Sequence, residues 1–486
     1  ENYRKLELVV DAKSGDVLHE TNLILDAVTG IVSGMATESS GADVCDPESV
    51  VGMPYAKVTG DGNTVYANAN GSYSLPASGA VTVVSRLEGR WFNVNNISGA
   101  DAQLSTSSSD GSVVNFVHSA ANNNEQYRAQ VNAYLQSNVV RDYTLLHAPS
   151  FPTIGTQTNW PVNTGVNGTC NAFYDYSSIN FYNAGGGCSN TAFSVIVHHE
   201  YGHHLVAEAG SGQGAYGEGM GDVMGVLITG DNQLARGFFS NDCVNGIRNA
   251  DNNYQYPCSG EIHDCGQLIS GCVWDIIIEM EASYPITGHA IVSVLAINSI
   301  MMHSGSGINP SIAVDWLTLD DNDGDLSNGT PHWNEIYAGF DLHNMVDLPE
   351  PQVLSIEYPS GRPELLDPNS ETYVPINVVA VSSDPQDGTG ILHYNDGSSW
   401  LQDSLYPAEL SDYAAIFPVF ECGASVDWYI SFESVDSDYV VSPAGAPSTT
   451  WTAMSFSGSE VVFEDDFETN QGWTVSSGAS TGNWVR

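Results

Sequence analysis

Hydrophobic and polar positions alternate in short runs over the first hundred residues and change to helical spacing near residue 113. Two apolar runs flank a Ser-Gly-Asp turn within residues 1–27 and predict a β-hairpin, which is too small to fold alone. We therefore expect this hairpin to be the end of a domain that begins upstream. Residues 28–103 carry alternating runs separated by turn signals, which predict a small antiparallel β domain. The Ser-rich stretch Ser105–Ser112 is expected to be a linker.

Helical spacing dominates the middle of the chain, where loops rich in Gly, Asn and Cys join the periodic segments. The apolar positions predict helices over 124–138, 191–209, 217–229, 264–282 and 288–304.

The last third of the chain returns to alternating positions. Residues 348–454 have Pro-rich turns and predict a β-sandwich of the immunoglobulin or fibronectin type. Residues 455–486 begin another β pattern, which we interpret as the incomplete start of a further domain. The whole pattern predicts a multidomain α+β protein in which a helical part, residues 104–347, is flanked by small antiparallel β domains.

The composition departs from that of an ordinary folded chain mainly in its charge. Of 486 residues, 58 are acidic and 12 are basic, so the net charge is −46, while 42% are hydrophobic. Without clusters of Lys and Arg, the chain is not expected to bind nucleic acid non-specifically or to dock on anionic lipid. The most apolar stretch, Ala290–Met302, is too short to span a membrane.

Eight cysteines occur, six of them between residues 170 and 272. None forms a CxxC pair, so disulfides in an oxidising compartment are favoured over a thiolate zinc site. On one helix, Cys265 and Cys272 would lie about 10.5 Å apart, too far to bond to each other. Each is therefore expected to have another partner, with Cys243 and Cys258 nearest in sequence.

The segment Asp320–Thr330 is dense in carboxylates and glycine. Clustered oxygen ligands suit Ca²⁺, although the spacing does not fit an EF-hand. A calcium site at Asp320–Asp325 and a solvated acidic loop are equal alternatives.

The most informative stretch contains an HExxH motif, His199-Glu200-Tyr201-Gly202-His203. Positions i and i+4 share one face of a helix, so His199 and His203 can direct two imidazoles at one metal ion. Glu200 leans toward the same side. The neighbouring His198 and His204 form no second motif and are expected to be packing or solvent-facing residues.

A third ligand is expected from the next helix, because two histidines leave a zinc site incomplete. Glu218 and Asp222 stand one helical turn apart. Glu218 is the candidate ligand, and Asp222 is expected to accept a hydrogen bond from a ligand histidine. The intervening glycines allow this helix to approach the first one closely.

Together these motifs resemble the gluzincin metallopeptidases, in particular the thermolysin and fungalysin families. Asn171-Ala172-Phe173-Tyr174 resembles their NAF(W/Y) edge strand, and Glu261–Gly266, which contains His263, resembles their later VHxxG-type segment. The order of the three motifs agrees, and the similarity covers roughly 113–347. Residues 1–27 resemble the end of the propeptide found in these families.

The resemblance implies a two-lobed core with a mixed lobe and a mainly helical lobe. It also implies that Asn171 and Ala172 bind the substrate backbone and that His263 stabilises the tetrahedral intermediate. The gap between His203 and Glu218 is shorter than in thermolysin-like enzymes. No tyrosine aligns with the one that assists the intermediate there.

The sequence therefore predicts a secreted, zinc-dependent endopeptidase that acts on protein or peptide substrates. Zn²⁺ would be held by His199, His203 and Glu218, with Glu200 as general base. Two alternatives remain: a non-catalytic extracellular adhesion or structural protein, and a zinc aminopeptidase. The flanking β domains are expected to bind other extracellular or surface components.

Overall fold

The computed structural model describes residues 6–22, 27–322, 324, 326, 329–347, 353–381, 383–408 and 412–457. These residues fall into two compact units, one containing residues up to the acidic loop together with 330–347, the other containing residues 353–457. The expected β domain after residue 457 lies outside the described residues. So do Asp323 and Asp325 of the acidic loop, and the calcium site there stays a prediction.

The hairpin predicted at the amino terminus is confirmed. Strands β1 (Leu6–Val10) and β2 (Val17–Asn22) pair in antiparallel register. The carboxylate of Asp11 accepts hydrogen bonds from the backbone of Lys13 (2.7 Å) and Ser14 (2.9 Å), which fixes the turn.

The remaining strands of the first unit build one large mixed sheet and one smaller sheet. The large sheet has the order β13-β14-β12-β9-β8-β5-β6, with β10 also paired to β8, and the smaller has the order β11-β3-β4, with β7 on β3. The short pair β15–β16 stands apart. The strands are β3 (Ala27–Ala36), β4 (Ser49–Gly52), β5 (Ala56–Gly60), β6 (Asn63–Tyr66), β7 (Ser72–Pro76), β8 (Ala80–Gly89), β9 (Phe92–Asn96), β10 (Gln103–Ser109), β11 (Phe116–His118), β12 (Trp160–Val166), β13 (Ala172–Tyr174), β14 (Ile179–Tyr182), β15 (Gln233–Leu234) and β16 (Arg248–Asn249).

The large sheet crosses the domain boundary that was expected at residue 103. Strand β12 runs parallel to β9 and β14, so strands on both sides of the boundary hydrogen-bond to each other. The disulfide Cys45–Cys243 also joins the two segments. Residues 28–103 are therefore part of the same compact unit as the helices. The expected linker at Ser105–Ser112 is wrong as well, since β10 is a strand paired to β8.

Seven helices occur in the described residues, and the five predicted ones are among them. Helix α1 packs on β9 and β12, while α3 lies between α2 and α4. In the residues that the structure describes, no helix combines the length and apolar character needed to cross a bilayer. The helices are α1 (Glu125–His147), α2 (Ser194–Glu208), α3 (Ala215–Thr229), α4 (Ile262–Ser283), α5 (Gly288–Ser299), α6 (Ser311–Asp320) and α7 (Trp333–Asp341).

Glycines set the spacing of the three central helices. A Cβ atom on Gly219 of α3 would lie 2.0 Å from Ile269 Cγ2 and 2.7 Å from the Gly266 carbonyl oxygen of α4. A Cβ atom on Gly202 of α2 would lie 2.7 Å from the Cα atom of Gly221. Only glycine permits this approach, because the contacts are to backbone atoms or a packed side chain.

Six of the eight cysteines form disulfides, and Cys272 and Cys422 are free. Cys258 bonds to Cys265, and Cys170 bonds to Cys188. Cys265 and Cys272 are not bonded to each other, which confirms that expectation. The partner expected for Cys272 is wrong: its thiol is free and fully buried, and burial raises its pKa, so it behaves as a small apolar residue.

The second unit has two sheets around one apolar core. One sheet has the order β17-β19-β23-β22, and the other has the order β18-β26-β24-β20-β21 with β25 on β24. Both sheets contribute to the core, for example Ile376 and Phe417 from the first, Trp428 and Phe432 from the second. The strands are β17 (Leu354–Glu357), β18 (Leu365–Leu366), β19 (Thr372–Ala380), β20 (Ile391–Asn395), β21 (Trp400–Ser404), β22 (Tyr406–Pro407), β23 (Tyr413–Phe417), β24 (Ser425–Glu433), β25 (Tyr439–Ser442) and β26 (Trp451–Ser455).

We predict that Gly219→Ala lowers the free energy of unfolding of the first unit by about 1–3 kcal/mol, because its new methyl group overpacks the contact between α3 and α4. Differential scanning calorimetry of the variant and the wild type measures the change in stability. The matched control is Gly225→Ala on the same helix, whose Cβ would meet side-chain methyl groups at 3.1 and 3.3 Å and no backbone atom closer than 3.9 Å. The packing account is contradicted if Gly219→Ala is as stable as the control.

Candidate metal centre

Helix α2 places the two histidines of the motif one turn apart in the protein interior. His199 and His203 are 6% and 8% exposed, and their ring centroids lie 5.0 Å apart. Apolar neighbours such as Val195 and Leu205 bury the rest of the helix. The imidazoles are therefore held in an environment with little competing water.

Helix α3 brings the carboxylate of Glu218 to the same point. Its Oε2 atom lies 3.3 Å from His199 Nε2 and 3.6 Å from His203 Nε2. In the part of the chain that the structure describes, these three residues form the one group whose His, Cys, Asp or Glu ligand atoms converge within 4.8 Å. The convergence predicted from the sequence is present.

The electrostatics of Glu218 point to a cation. Its Oε2 atom is buried and accepts no hydrogen bond in the described part of the chain. Burial would raise the pKa of Glu218, but the adjacent imidazoles of His199 and His203 outweigh burial and lower it well below the usual range. A buried carboxylate oxygen is costly unless it is paired or coordinates a metal, so this donor set fits a divalent ion.

A second group of charges orients His199. Asp222 Oδ1 lies 2.8 Å from His199 Nδ1, as predicted, and both carboxylate oxygens accept hydrogen bonds from Arg248 at 2.6 Å. Burial would raise the pKa of Asp222, but the Arg248 guanidinium and the His199 ring lower it to about 2. The carboxylate therefore stays charged and directs His199 Nε2 toward Glu218.

The pKa of His199 reflects the same surroundings. Burial alone would lower it, but the adjacent carboxylates of Asp222 and Glu218 raise the pKa to about 10. The site thus favours positive charge at His199 Nε2, which is where a metal ion would bind.

Two residues of the site were missed by the sequence analysis. Arg248 reaches Asp222 from β16, and Gln213 lies in the loop between α2 and α3. Gln213 Oε1 is 2.8 Å from His203 Nδ1, and its amide donates to the His203 carbonyl at 3.0 Å. Neither residue carries a local motif, so no signal in the sequence could have identified them.

Glu200 occupies the position expected of a base. It is 6% exposed and lines the same cleft as His199 and His203. Burial raises the pKa of Glu200, while the positive charges of the two histidines oppose that rise. A raised pKa makes this carboxylate a better proton acceptor, as the role of a base requires.

His263 also faces the centre. It lies at the start of α4 with its Nε2 atom 3.2 Å from Glu218 Oε2, and Glu261 Oε1 contacts its Nδ1 atom at 2.8 Å. Its side chain is 48% exposed. The imidazole is thus oriented by Glu261 and remains accessible from the cleft.

The predicted substrate strand forms one wall of the cleft. Among the described strands, β13 is an edge of the large sheet and pairs only with β14, and both Asn171 and Ala172 line the cleft. The cleft has a volume of about 430 Å³. An edge strand beside the candidate centre leaves backbone groups available to an added peptide strand.

The other histidines of α2 do not join the centre. His198 Nε2 contacts Gln136 Oε1 at 3.0 Å, and His204 Nε2 contacts Gln157 Oε1 at 2.9 Å. Burial lowers the pKa of His198 to about 3 and that of His204 to about 4. Both are neutral packing residues, in agreement with the expectation.

Comparisons with known proteins assign no family. No protein-family model matches the chain, and no curated protein matches it. Among solved structures, the chain matches the crystal structure of an engineered protein with 12% identity, covering 67% of this chain and 70% of that one, at a TM-score of 0.17. The site must be interpreted from its own geometry.

We predict that Asp222→Asn weakens Zn²⁺ binding roughly 10–100-fold, because the amide cannot supply the charge that orients and polarises His199. Competition with a chelating dye measures the affinity. The matched control is Asp341→Asn at the exposed end of α7, which should bind Zn²⁺ as the wild type does. Equal affinities for the two variants would contradict the assigned role of Asp222.

Proposed function

We propose that the chain is a secreted, zinc-dependent endopeptidase that hydrolyses peptide bonds in protein or peptide substrates. The observation that carries this proposal is the convergence of His199, His203 and the buried Glu218 oxygen beside the buried Glu200. Three disulfides among the described residues agree with an oxidising compartment.

Zinc is the proposed ion because two imidazoles and one carboxylate match a catalytic zinc site with a fourth position left open. A bound Zn²⁺ supplies Lewis acidity and lowers the pKa of a water molecule to about 7. His199, His203 and Glu218 would hold it, with Asp222 and Gln213 orienting the two rings.

Glu200 is the proposed general base and acid. Its carboxylate accepts the proton of the attacking water and later donates it to the leaving amine. Burial keeps bulk water away from this carboxylate and raises its pKa, which favours uptake of the proton from the attacking water.

His263 and β13 are proposed to contact the substrate. The Nε2 atom of His263 points to the centre and can donate to the oxyanion that forms at the attacked carbonyl. Asn171 and Ala172 would align the peptide as an added strand through main-chain hydrogen bonds. The cleft beside them accommodates an extended peptide.

The finer fold assignments belong to the same proposal. A β-rich part carrying β13 and a helical part carrying α2, α3 and α4 border the cleft, which agrees with a two-lobed core resembling thermolysin and fungalysin. The second unit is proposed to be an immunoglobulin- or fibronectin-like sandwich that binds extracellular or surface components.

We predict that Glu200→Gln folds and binds Zn²⁺ but loses measurable cleavage of casein, because the amide cannot accept the proton. A zymogram and fluorogenic peptides measure the activity. The control is Glu208→Gln at the end of the same helix, and this variant should retain the cleavage activity. An active Glu200→Gln protein would remove Glu200 from its role, and a wild-type protein that binds zinc without cleaving would favour the adhesion alternative.

We predict that 1,10-phenanthroline abolishes activity and that added Zn²⁺ restores it, because the three protein ligands hold the ion needed for water activation. The isomer 1,7-phenanthroline, which does not chelate, serves as the control and should have no effect. Elemental analysis should find one zinc per chain before chelation. Full activity in metal-free protein would contradict the mechanism.

A further inference from the structure

Tyr176 occupies an unusual position at the wall of the cleft. It lies in the turn between β13 and β14, and it lines the same cleft as His199, Glu200 and His203. Its side chain is 70% exposed, so packing in the core does not explain the presence of a large aromatic ring there.

The backbone of Tyr176 has a φ of +68°, in the left-handed region. Glycine and asparagine adopt this region readily, whereas a bulky aromatic residue is a genuine outlier. Such strained residues persist where the surrounding structure enforces them, and they concentrate at ligand-binding sites.

The turn is fixed on both sides of Tyr176. Asp175 Oδ1 accepts hydrogen bonds from the backbone of Ser177 (2.9 Å) and Ser178 (2.7 Å), and from both of their hydroxyl groups. Partial burial would raise the pKa of Asp175, but the hydrogen bonds from Ser177 and Ser178 outweigh burial and lower it. The charged carboxylate therefore locks the turn and holds Tyr176 in its strained conformation.

The locked turn is also tied to the sheet. Ser178 Oγ accepts hydrogen bonds from Asn163 of β12 at 3.1 Å and from Asn180 of β14 at 3.0 Å. Asn180 also donates to the carbonyl oxygen of Phe173 in β13 at 3.2 Å. The strand that is proposed to bind substrate and the ring of Tyr176 thus belong to one rigid hydrogen-bonded network.

Two ring contacts lead from the metal centre to Tyr176. The ring of Tyr174 lies nearly parallel to that of His203, with centroids 6.5 Å apart, and contacts the ring of Tyr176 at 5.2 Å. An extended peptide advances about 3.3 Å per residue. The two steps set an upper limit on the distance between the rings of His203 and Tyr176, so a peptide lying along β13 would reach Tyr176 within about three to four residues of the bond at the centre.

We propose that Tyr176 is a specificity-determining residue that receives an apolar or aromatic side chain of the peptide, about three residues from the cleaved bond. This inference rests on the proposed function and names a recognition element of the same site. Tyr176 and Tyr174 together present an aromatic surface that a peptide side chain covers on binding, and such contacts gain from offset or edge-to-face stacking.

The test uses eight-residue peptides with one fixed cleavable bond and a single Phe or Ala scanned through the flanking positions. The wild type should prefer Phe over Ala about tenfold in kcat/KM at one position about three residues from the bond. Tyr176→Gly should lose that preference, and Tyr176→Phe should keep it because the ring is retained. A blocked dipeptide substrate should be cleaved equally by all three proteins.

Stability separates recognition from a structural role. Glycine adopts a positive φ without strain, so Tyr176→Gly should melt at the wild-type temperature or above it. A drop of several degrees, or an unchanged preference for Phe in Tyr176→Gly, would overturn the inference.

A binding experiment tests this inference separately from the proposed function. Fluorescence anisotropy compares the Phe and Ala peptides on zinc-loaded Glu200→Gln protein, with and without Tyr176→Gly. Binding with a preference that depends on Tyr176, without cleavage by the wild type, would support the inference and reject the peptidase. Cleavage by the wild type without that preference would reject the inference alone, and absence of both binding and cleavage would reject both.

Discussion

The close approach of two buried helices is the constraint on which the site depends. Glycines on α3 let it lie against α2, and a Cβ atom at Gly221 would meet the His199 ring at 2.7 Å. At this distance Glu218 reaches the two imidazoles, and its buried oxygen is left without a hydrogen bond. A buried carboxylate oxygen is costly without positive charge beside it, so the helix packing that brings Glu218 to the imidazoles also makes a place suited to a cation.

His199, Asp222 and Arg248 form a chain of contacts in which a carboxylate lies between an imidazole and a guanidinium. Arg248 holds Asp222 with two hydrogen bonds, and Asp222 holds His199, so the orientation of a ligand depends on a cation 49 residues further along the chain. His203 is oriented by the neutral Gln213 instead. The two histidines therefore differ in what orients them, a charged carboxylate for His199 and a neutral amide for His203.

Local spacing determined what could be predicted from the sequence. The i, i+4 pair of His199 and His203 and the later Glu218 follow from helix geometry, so the convergence of these three side chains could be predicted. The prediction of a separate β domain over residues 28–103 was wrong because β12 pairs in parallel with β9 and β14. This pairing joins residues far apart in sequence, which the alternation of polar and apolar positions cannot reveal. Arg248 was missed for the same reason: its partner is set by tertiary packing.

The central claim is that His199, His203 and Glu218 bind one Zn²⁺ ion. The most direct test is a crystal structure of the zinc-loaded protein with anomalous diffraction recorded on both sides of the zinc absorption edge. We expect one strong anomalous peak at about 2.0–2.2 Å from both Nε2 atoms and from a Glu218 oxygen, with one position open to solvent. No peak there, or a peak bound to other residues with Glu218 turned away, would contradict the account.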